Sequence, residues 1–273
     1  MPQPLAGNSW ALYTIASLPL DPRLSLLLRH YPAMKLGVRE SVELFARWLA
    51  PVAEKITASR PGAVDWVVSA PPLYTLPAGA NLLAWEVCRM LGLRSVDLRY
   101  TRPFPRNAHD YSKSGVEDRI RNRRELHEGE CAPRPDEADF RDRAVLFVND
   151  INVTGTQQRF VQQTLEPVRP ASIDWLYIFQ VDPHLGRSKP EIEYELNHSY
   201  LATFDEFVEI MAHADIDYTS RSVDRLLRYS AAEQETLFRS LDEERRSRLH
   251  QLIAREGLAW RPPPEYALRN SIL

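Results

Sequence analysis

Two apolar stretches limit what this chain can become. Ala144-Val145-Leu146-Phe147-Val148 is uninterrupted, and Ile173 to Val181 is broken only by Asp174 and Gln180. A strand sends successive side chains to opposite faces. Runs like these therefore leave no face for water and need cover on both sides, as in the central strands of parallel sheets. Val64-Asp65-Trp66-Val67-Val68 reads the same way, and Ser95 to Leu98 suits a further short strand.

The segments between carry helical spacing. Val42, Phe45, Leu49, Val52 and Ile56 predict a helix over 39–58, which Pro51 should kink or split. Leu83, Val87, Met90 and Leu91 predict another over 78–91, stopped by Gly92, and residues 155–165 form a third. Strands alternating with helices predict an α/β fold, a mainly parallel sheet with helices on both faces. Residues 102–142 are polar and proline-bearing and read as long loops with one helical piece. Residues 190–197 stay open: Ile192, Tyr194 and Leu196 alternate like a strand, while Pro190 suits a helix start. Beyond residue 200 only helical patterns remain. Phe204, Phe207, Val208 and Met211 share a face, Ser230 to Glu233 is a capping box, and Leu249, Leu252 and Ile253 mark a last helix before Gly257. The organisation read from this is an N-terminal helical segment (1–60) packing on the core, an α/β domain (61–199), and a C-terminal helical extension with a tail (200–273).

Composition excludes several classes. With 273 residues, 44% of them hydrophobic, a sizeable core is expected. A net charge of −3 gives no general pull toward nucleic acid. No apolar run approaches the roughly 18 residues of a membrane span. Met1 to Ser9 lacks the basic-then-apolar order of a signal peptide, so a cytoplasmic protein is expected. Cys88 and Cys131 read as buried thiols, and no two of the seven histidines have the i, i+4 spacing of a helical metal site. The six tryptophans lie mostly in periodic elements and read as core. Lys35, just before Gly37, either reaches a phosphate or is a surface lysine ahead of a helix.

Chemistry concentrates where the Ala144–Val148 strand meets its helix. The strand is expected to end at Val148, with Asn149 and Asp150 at its carboxyl end and Thr154-Gly155-Thr156 opening the helix. Ligands of open α/β sheets bind beyond the carboxyl ends of strands. A helix N-terminus offers free N–H groups and the positive end of its dipole to a phosphate. Gly155 permits close backbone approach, Thr154 and Thr156 add hydroxyls, and Asp150 supplies an acceptor for sugar hydroxyls. The bare pattern Asp-x-x-x-Thr-Gly equally describes a strand-to-helix turn with Asp150 as a local cap.

The stretch from Val145 through Asn149, Asp150, Ile151, Asn152, Val153, Thr154, Gly155 and Thr156 to Gln157 resembles the signature of the type I phosphoribosyltransferases: an apolar strand, two acids, three variable residues, then Thr-Gly. The resemblance implies that Asp150 and Asn149 face the ribose of 5-phosphoribosyl-1-pyrophosphate (PRPP) and that residues 151–157 hold its 5′-phosphate. It departs from the pattern at Asn149, which replaces the first acid, and at Gln157, where a Thr or Ser often stands. Upstream, Val67 to Pro72 is similar to the family's strand and pyrophosphate loop, which assigns Ser69, Ala70 and Pro71 to ligand binding. Tyr111 to Leu126 is similar to its mobile hood loop, with Arg119 as a catalytic candidate. Arg99 to Arg124 contains eight Lys/Arg and three Asp/Glu, suited to a pyrophosphate. Mg²⁺, with Asp150 as its ligand, is the implied cofactor. The implied partners are PRPP, an acceptor that no sequence feature defines, and a second copy of the chain as a homodimer; no membrane or direct nucleic-acid partner is indicated. The segment Tyr31 to Gly37, the ribose loop and Asn197 with a helical tail further resemble bacterial phosphoribosyltransferase-domain proteins linked to tellurium-resistance stress operons. Two functions follow as expectations: transfer of ribose 5-phosphate to a nitrogen nucleophile with pyrophosphate release, or non-catalytic sensing of PRPP or a nucleotide.

Overall fold

The computed structural model describes residues 8–60, 65–103, 115–118, 120–121, 124 and 132–258. Val64, Arg119 and Cys131, and Tyr111 and Leu126 at the ends of the hood-like segment, lie outside the described residues. Among the described residues are five strands, β1 (Ser9–Ile15), β2 (Trp66–Ser69), β3 (Arg94–Ser95), β4 (Ala144–Asn152) and β5 (Ser172–Val181). They form one sheet in the order β1-β5-β4-β2-β3, every neighbouring pair parallel. The apolar runs of β4 and β5 take the two most central places. Their register sets Val145 beside Ile173 and Val148 beside Leu176.

Helices cover both faces. α1 (Ser25–Leu36), α2 (Arg39–Ala58) and α3 (Gly79–Leu91) pack on one, where Phe45, Leu49, Leu83 and Val87 meet Leu146, Val148, Leu176 and Ile178. On the other, a short α4 (Glu137–Phe140) and α5 (Thr156–Leu165) bury Phe140, Val161 and Leu165 against Val145, Phe147 and Trp175. Alternation along β4 and β5 thus feeds two cores at once, which is why the runs are continuous.

The chain then passes through α6 (Pro183–Ser188) and α7 (Ile192–His198), so the ambiguous segment 190–197 is helical from Ile192 onward. The extension comprises α8 (Phe204–His213), α9 (Ser220–Arg228), α10 (Ala231–Ser240) and α11 (Glu243–Arg255). Phe207, Met211, Val223, Leu237, Phe238 and Leu249 build its own core, into which Leu36 and Leu76 of the α/β part insert. The capping box forms as expected: Glu233 N–H donates to Ser230 Oγ and Ser230 N–H to Glu233 Oε2. None of the described helices is long and apolar enough to cross a membrane.

Four features differ from the sequence expectation. Strand β4 runs to Asn152 rather than stopping at Val148, because Asn149, Ile151 and Asn152 pair with Tyr177, Phe179 and Gln180 of the longer β5. Pro51 leaves α2 unbroken; it lies on the exposed side, where water can meet the carbonyl its missing N–H leaves unbonded. The expected strand over 95–98 is reduced to Arg94–Ser95, although Val96 N–H still reaches the Val68 carbonyl. Two elements precede the helix at Arg39. Edge strand β1 makes only one ladder and exposes Trp10 and Tyr13, and α1 contains Pro32, so neither shows a clean period.

Gly37 closes α1 at φ 98°, and a Cβ there would stand 1.8 Å from the Asp217 carbonyl oxygen of the extension. Gly92 closes α3 at φ 64° with nothing within 4 Å. Gly92→Ala should therefore cost only the left-handed strain of about 1–2 kcal/mol. Gly37→Ala should cost roughly 1–3 kcal/mol more from the clash. Urea unfolding of both variants checks this; equal losses would mean the extension does not dock at Gly37.

Candidate functional site

The extended β4 carries Asn149 and Asp150 in regular strand geometry, so their side chains leave on opposite faces. Asn149 turns toward α5, where its Nδ2 donates to Gln157 Oε1 at 3.0 Å and to the Ile151 carbonyl at 3.3 Å. Asp150 turns toward α1 and is only 8% exposed. Its Oδ2 accepts from Tyr31 Oη at 2.8 Å and lies 2.7 Å from Lys35 Nζ. Its Oδ1 has no hydrogen-bond partner among the described residues. Lys35 Nζ also donates to Glu193 Oε1 of α7 at 2.9 Å. The sequence offered Lys35 as a phosphate ligand or a surface lysine; it is not on the surface, being paired between two mostly buried carboxylates.

Burial and packing shape the electrostatics. Tyr31 packs edge-on against Phe45 and Phe179. Burial first, and then the Asp150 and Glu193 charges, push its phenol well above the ordinary tyrosine range. Burial alone would lower Lys35, but the Asp150 and Glu193 carboxylates outweigh it and hold the ammonium above its usual value. The Lys35 ammonium also lies 5.4 Å from the Tyr31 ring centre.

The turn beyond β4 is held by its own side chains. Asn152 Oδ1 accepts from Gly155 N–H at 2.8 Å, and the Thr154 and Thr156 hydroxyls are hydrogen-bonded at 2.8 Å. Gly155 caps α5 at φ 70°, and a Cβ there would meet nothing within 4 Å. The first intrahelical bond runs from Arg159 N–H to the Gly155 carbonyl at 3.1 Å. The amides of Thr156, Gln157 and Gln158 are thus the first-turn donors left over. Val153, on the approach, is buried where Gly186 of α6 packs against its carbonyl. Leftover backbone donors, the Thr154 hydroxyl and the open space at Gly155 thus stand together at the carboxyl edge of the sheet, with Thr156 itself buried.

Ser69 ends β2, the neighbour of β4, and Ala70 and Pro71 follow it at the same edge; all three are buried. Asn81 Nδ2 donates to the Pro71 carbonyl at 2.9 Å, while Thr75 and Leu76 donate their N–H groups to Glu256 Oε2 at 3.1 and 2.8 Å. The C-terminal extension therefore braces this loop.

No family model and no curated protein matches the chain. Similar solved structures include adenine phosphoribosyltransferase from Saccharomyces cerevisiae (16% identity, 55% of this chain, 75% of that one, TM-score 0.34). Purine phosphoribosyltransferase from Pyrococcus horikoshii is similar over 50% of this chain and 85% of that one, at 15% identity and TM-score 0.29. Adenine phosphoribosyltransferase from Thermoanaerobacter pseudethanolicus is similar over 52% and 85%, at 15% identity and TM-score 0.31. Likenesses at this level decide nothing about chemistry.

Reasoning from sequence missed Tyr31 and Glu193. The one signal for the first was its spacing of four from Lys35, which puts both on one helix face. Glu193 gave none, because its segment was ambiguous between strand and helix.

Tyr31 and Lys35 keep their protons to higher pH in the folded chain than at their ordinary values of 10.0 and 10.5. Above about pH 10 the unfolded chain then binds fewer protons, so stability is full below that range and falls as pH rises. Urea midpoints between pH 8 and 11 should fall more steeply for the wild type than for Tyr31→Phe. Parallel curves would remove Tyr31 from the buried cluster.

Proposed function

We propose that the junction of β4 and α5 seats a sugar phosphate, PRPP in this reading, and that the chain transfers its ribose 5-phosphate group to a nitrogen nucleophile. What carries the reading is the turn itself: Gly155 with open space at its Cβ, leftover first-turn amides, and Asp150 with Oδ1 unpartnered among the described residues. The 5′-phosphate would lie on the amides of Thr156, Gln157 and Gln158 and on the Thr154 and Thr156 hydroxyls. A ribose hydroxyl would donate to Asp150 Oδ1.

In the transfer, the bond from ribose C1 to the pyrophosphate oxygen breaks, the acceptor nitrogen bonds to C1, and pyrophosphate leaves. Positive charge grows on the ribose as this happens. Asp150 lies beside it, held by Lys35 before the reaction starts, in a cluster where Glu193 and Arg221 add one charge of each sign. The basic stretch from Arg99 to Arg124 would receive the leaving group.

A second reading, binding without turnover, is favoured by Asn149. Its amide is committed to Gln157, so this position adds no charge to the sugar side. A role in stress response, suggested by the resemblance over Tyr31 to Gly37, suits either reading; that segment supplies Tyr31 and Lys35.

Gly155→Val puts a branched side chain into the open space at the seat and, at φ 70°, also carries left-handed strain of about 1–2 kcal/mol, so its fold is checked first by circular dichroism. Calorimetric PRPP affinity should fall by at least about tenfold, a loss of roughly 1.4 kcal/mol. A folded variant with unchanged affinity would contradict the seat. Pyrophosphate release with a nucleobase panel separates the readings. Release that Asp150→Asn abolishes supports transfer, and binding without release across the panel supports a sensor.

A further inference from the structure

Mg²⁺ is the cation expected beside Asp150, and the donor set there can be tested against it. Mg²⁺ takes about six oxygen ligands at roughly 2.0–2.1 Å in near-octahedral geometry. Asp150 Oδ2 already accepts from Tyr31 and faces Lys35 Nζ, and Glu193 Oε1 is bound to the same ammonium. Among the described residues, no group of three or more His, Cys, Asp or Glu side chains could hold a metal ion. Asp150 and Glu193 as they stand do not fit a protein-held Mg²⁺.

The same distances describe what a bridging cation would do. One positive centre lies 2.7 Å from one carboxylate and 2.9 Å from the other. Lys35 is in the last turn of α1, where the negative end of the helix dipole adds to its hold. An ammonium has three N–H donors. Two are used, and the third has no partner among the described residues.

We infer that Lys35 is the built-in cation of the sugar site: its ammonium occupies the place between Asp150 and Glu193 that a divalent metal would take, and its third N–H meets a hydroxyl of the bound sugar phosphate. Lys35 is then a binding residue, with Glu193 positioning it. This inference rests on the β4–α5 junction being a sugar-phosphate seat. It predicts that the seat binds without added metal.

The test uses the full chain, ribose 5-phosphate and Mn²⁺. Wild-type affinity for ribose 5-phosphate should be the same in EDTA as in Mg²⁺, and the unliganded wild type should bind no Mn²⁺ by calorimetry or electron paramagnetic resonance. Lys35→Met should weaken ribose 5-phosphate in EDTA by at least tenfold. Should removing the ammonium beside Asp150 prevent Lys35→Met from folding, the wild-type titrations decide alone. Ribose 5-phosphate binding that requires Mg²⁺, Mn²⁺ binding by the unliganded wild type, or a folded Lys35→Met with wild-type affinity would each overturn the inference while leaving the seat intact. Absence of ribose 5-phosphate binding in both buffers would overturn the seat and the inference together.

Discussion

A carboxylate set into a central strand must be paired, because an isolated charge in a packed interior is far costlier than a paired one. Asp150 is such a group, and its partner Lys35 comes from a helix more than a hundred residues earlier. The pair ties the last turn of α1 to the carboxyl end of β4. Glu193 then draws α7 onto the same ammonium, and Tyr31 fills the remaining side. On the opposite face of the strand, Asn149 and Gln157 fasten the first turn of α5. The edge of the sheet is thus held from both faces by polar contacts, and the Thr154–Thr156 turn stands between them.

The helical extension is part of this arrangement. Thr219 Oγ1 donates to the Lys35 carbonyl at 2.8 Å, and Ser220 N–H donates to the Pro77 carbonyl at 2.8 Å. Glu256, buried at the end of α11, takes two N–H groups of the β2–α3 loop. The extension therefore fixes the backbone of the helix that carries Lys35 and of the loop at the same sheet edge. Its effect on a ligand would pass through those two segments, whose alternatives are few because both are closely packed.

How much of this was legible depended on whether the information was local. The Ala144–Val148 and Ile173–Val181 runs announced a doubly covered sheet because burial on both faces writes itself into consecutive residues. Gly92 and the Ser230 capping box were readable for the same reason, since a helix end is decided within a few residues. Strand β1 was not, because an edge strand borrows its register from β5 and leaves Trp10 and Tyr13 half in water. The end of β4 was misplaced because polar residues 149–152 look like a loop until the longer partner β5 is known. Asp150 could be singled out from its place before the Thr-Gly turn, but its partners could not. Tyr31, Lys35 and Glu193 meet it only after three separate segments have packed, and no spacing in the sequence records that meeting.

The central claim is that the turn after β4 is a phosphate seat with a sugar beside Asp150. Amide nuclear magnetic resonance of the ¹⁵N-labelled chain titrated with ribose 5-phosphate tests it most directly. The largest shifts are expected at the backbone amides of Thr156, Gln157 and Gln158, with smaller ones at Gly155, whose N–H is already held by Asn152 Oδ1, and at Asp150 and Lys35. Saturable shifts centred elsewhere, with those amides unmoved, would contradict it.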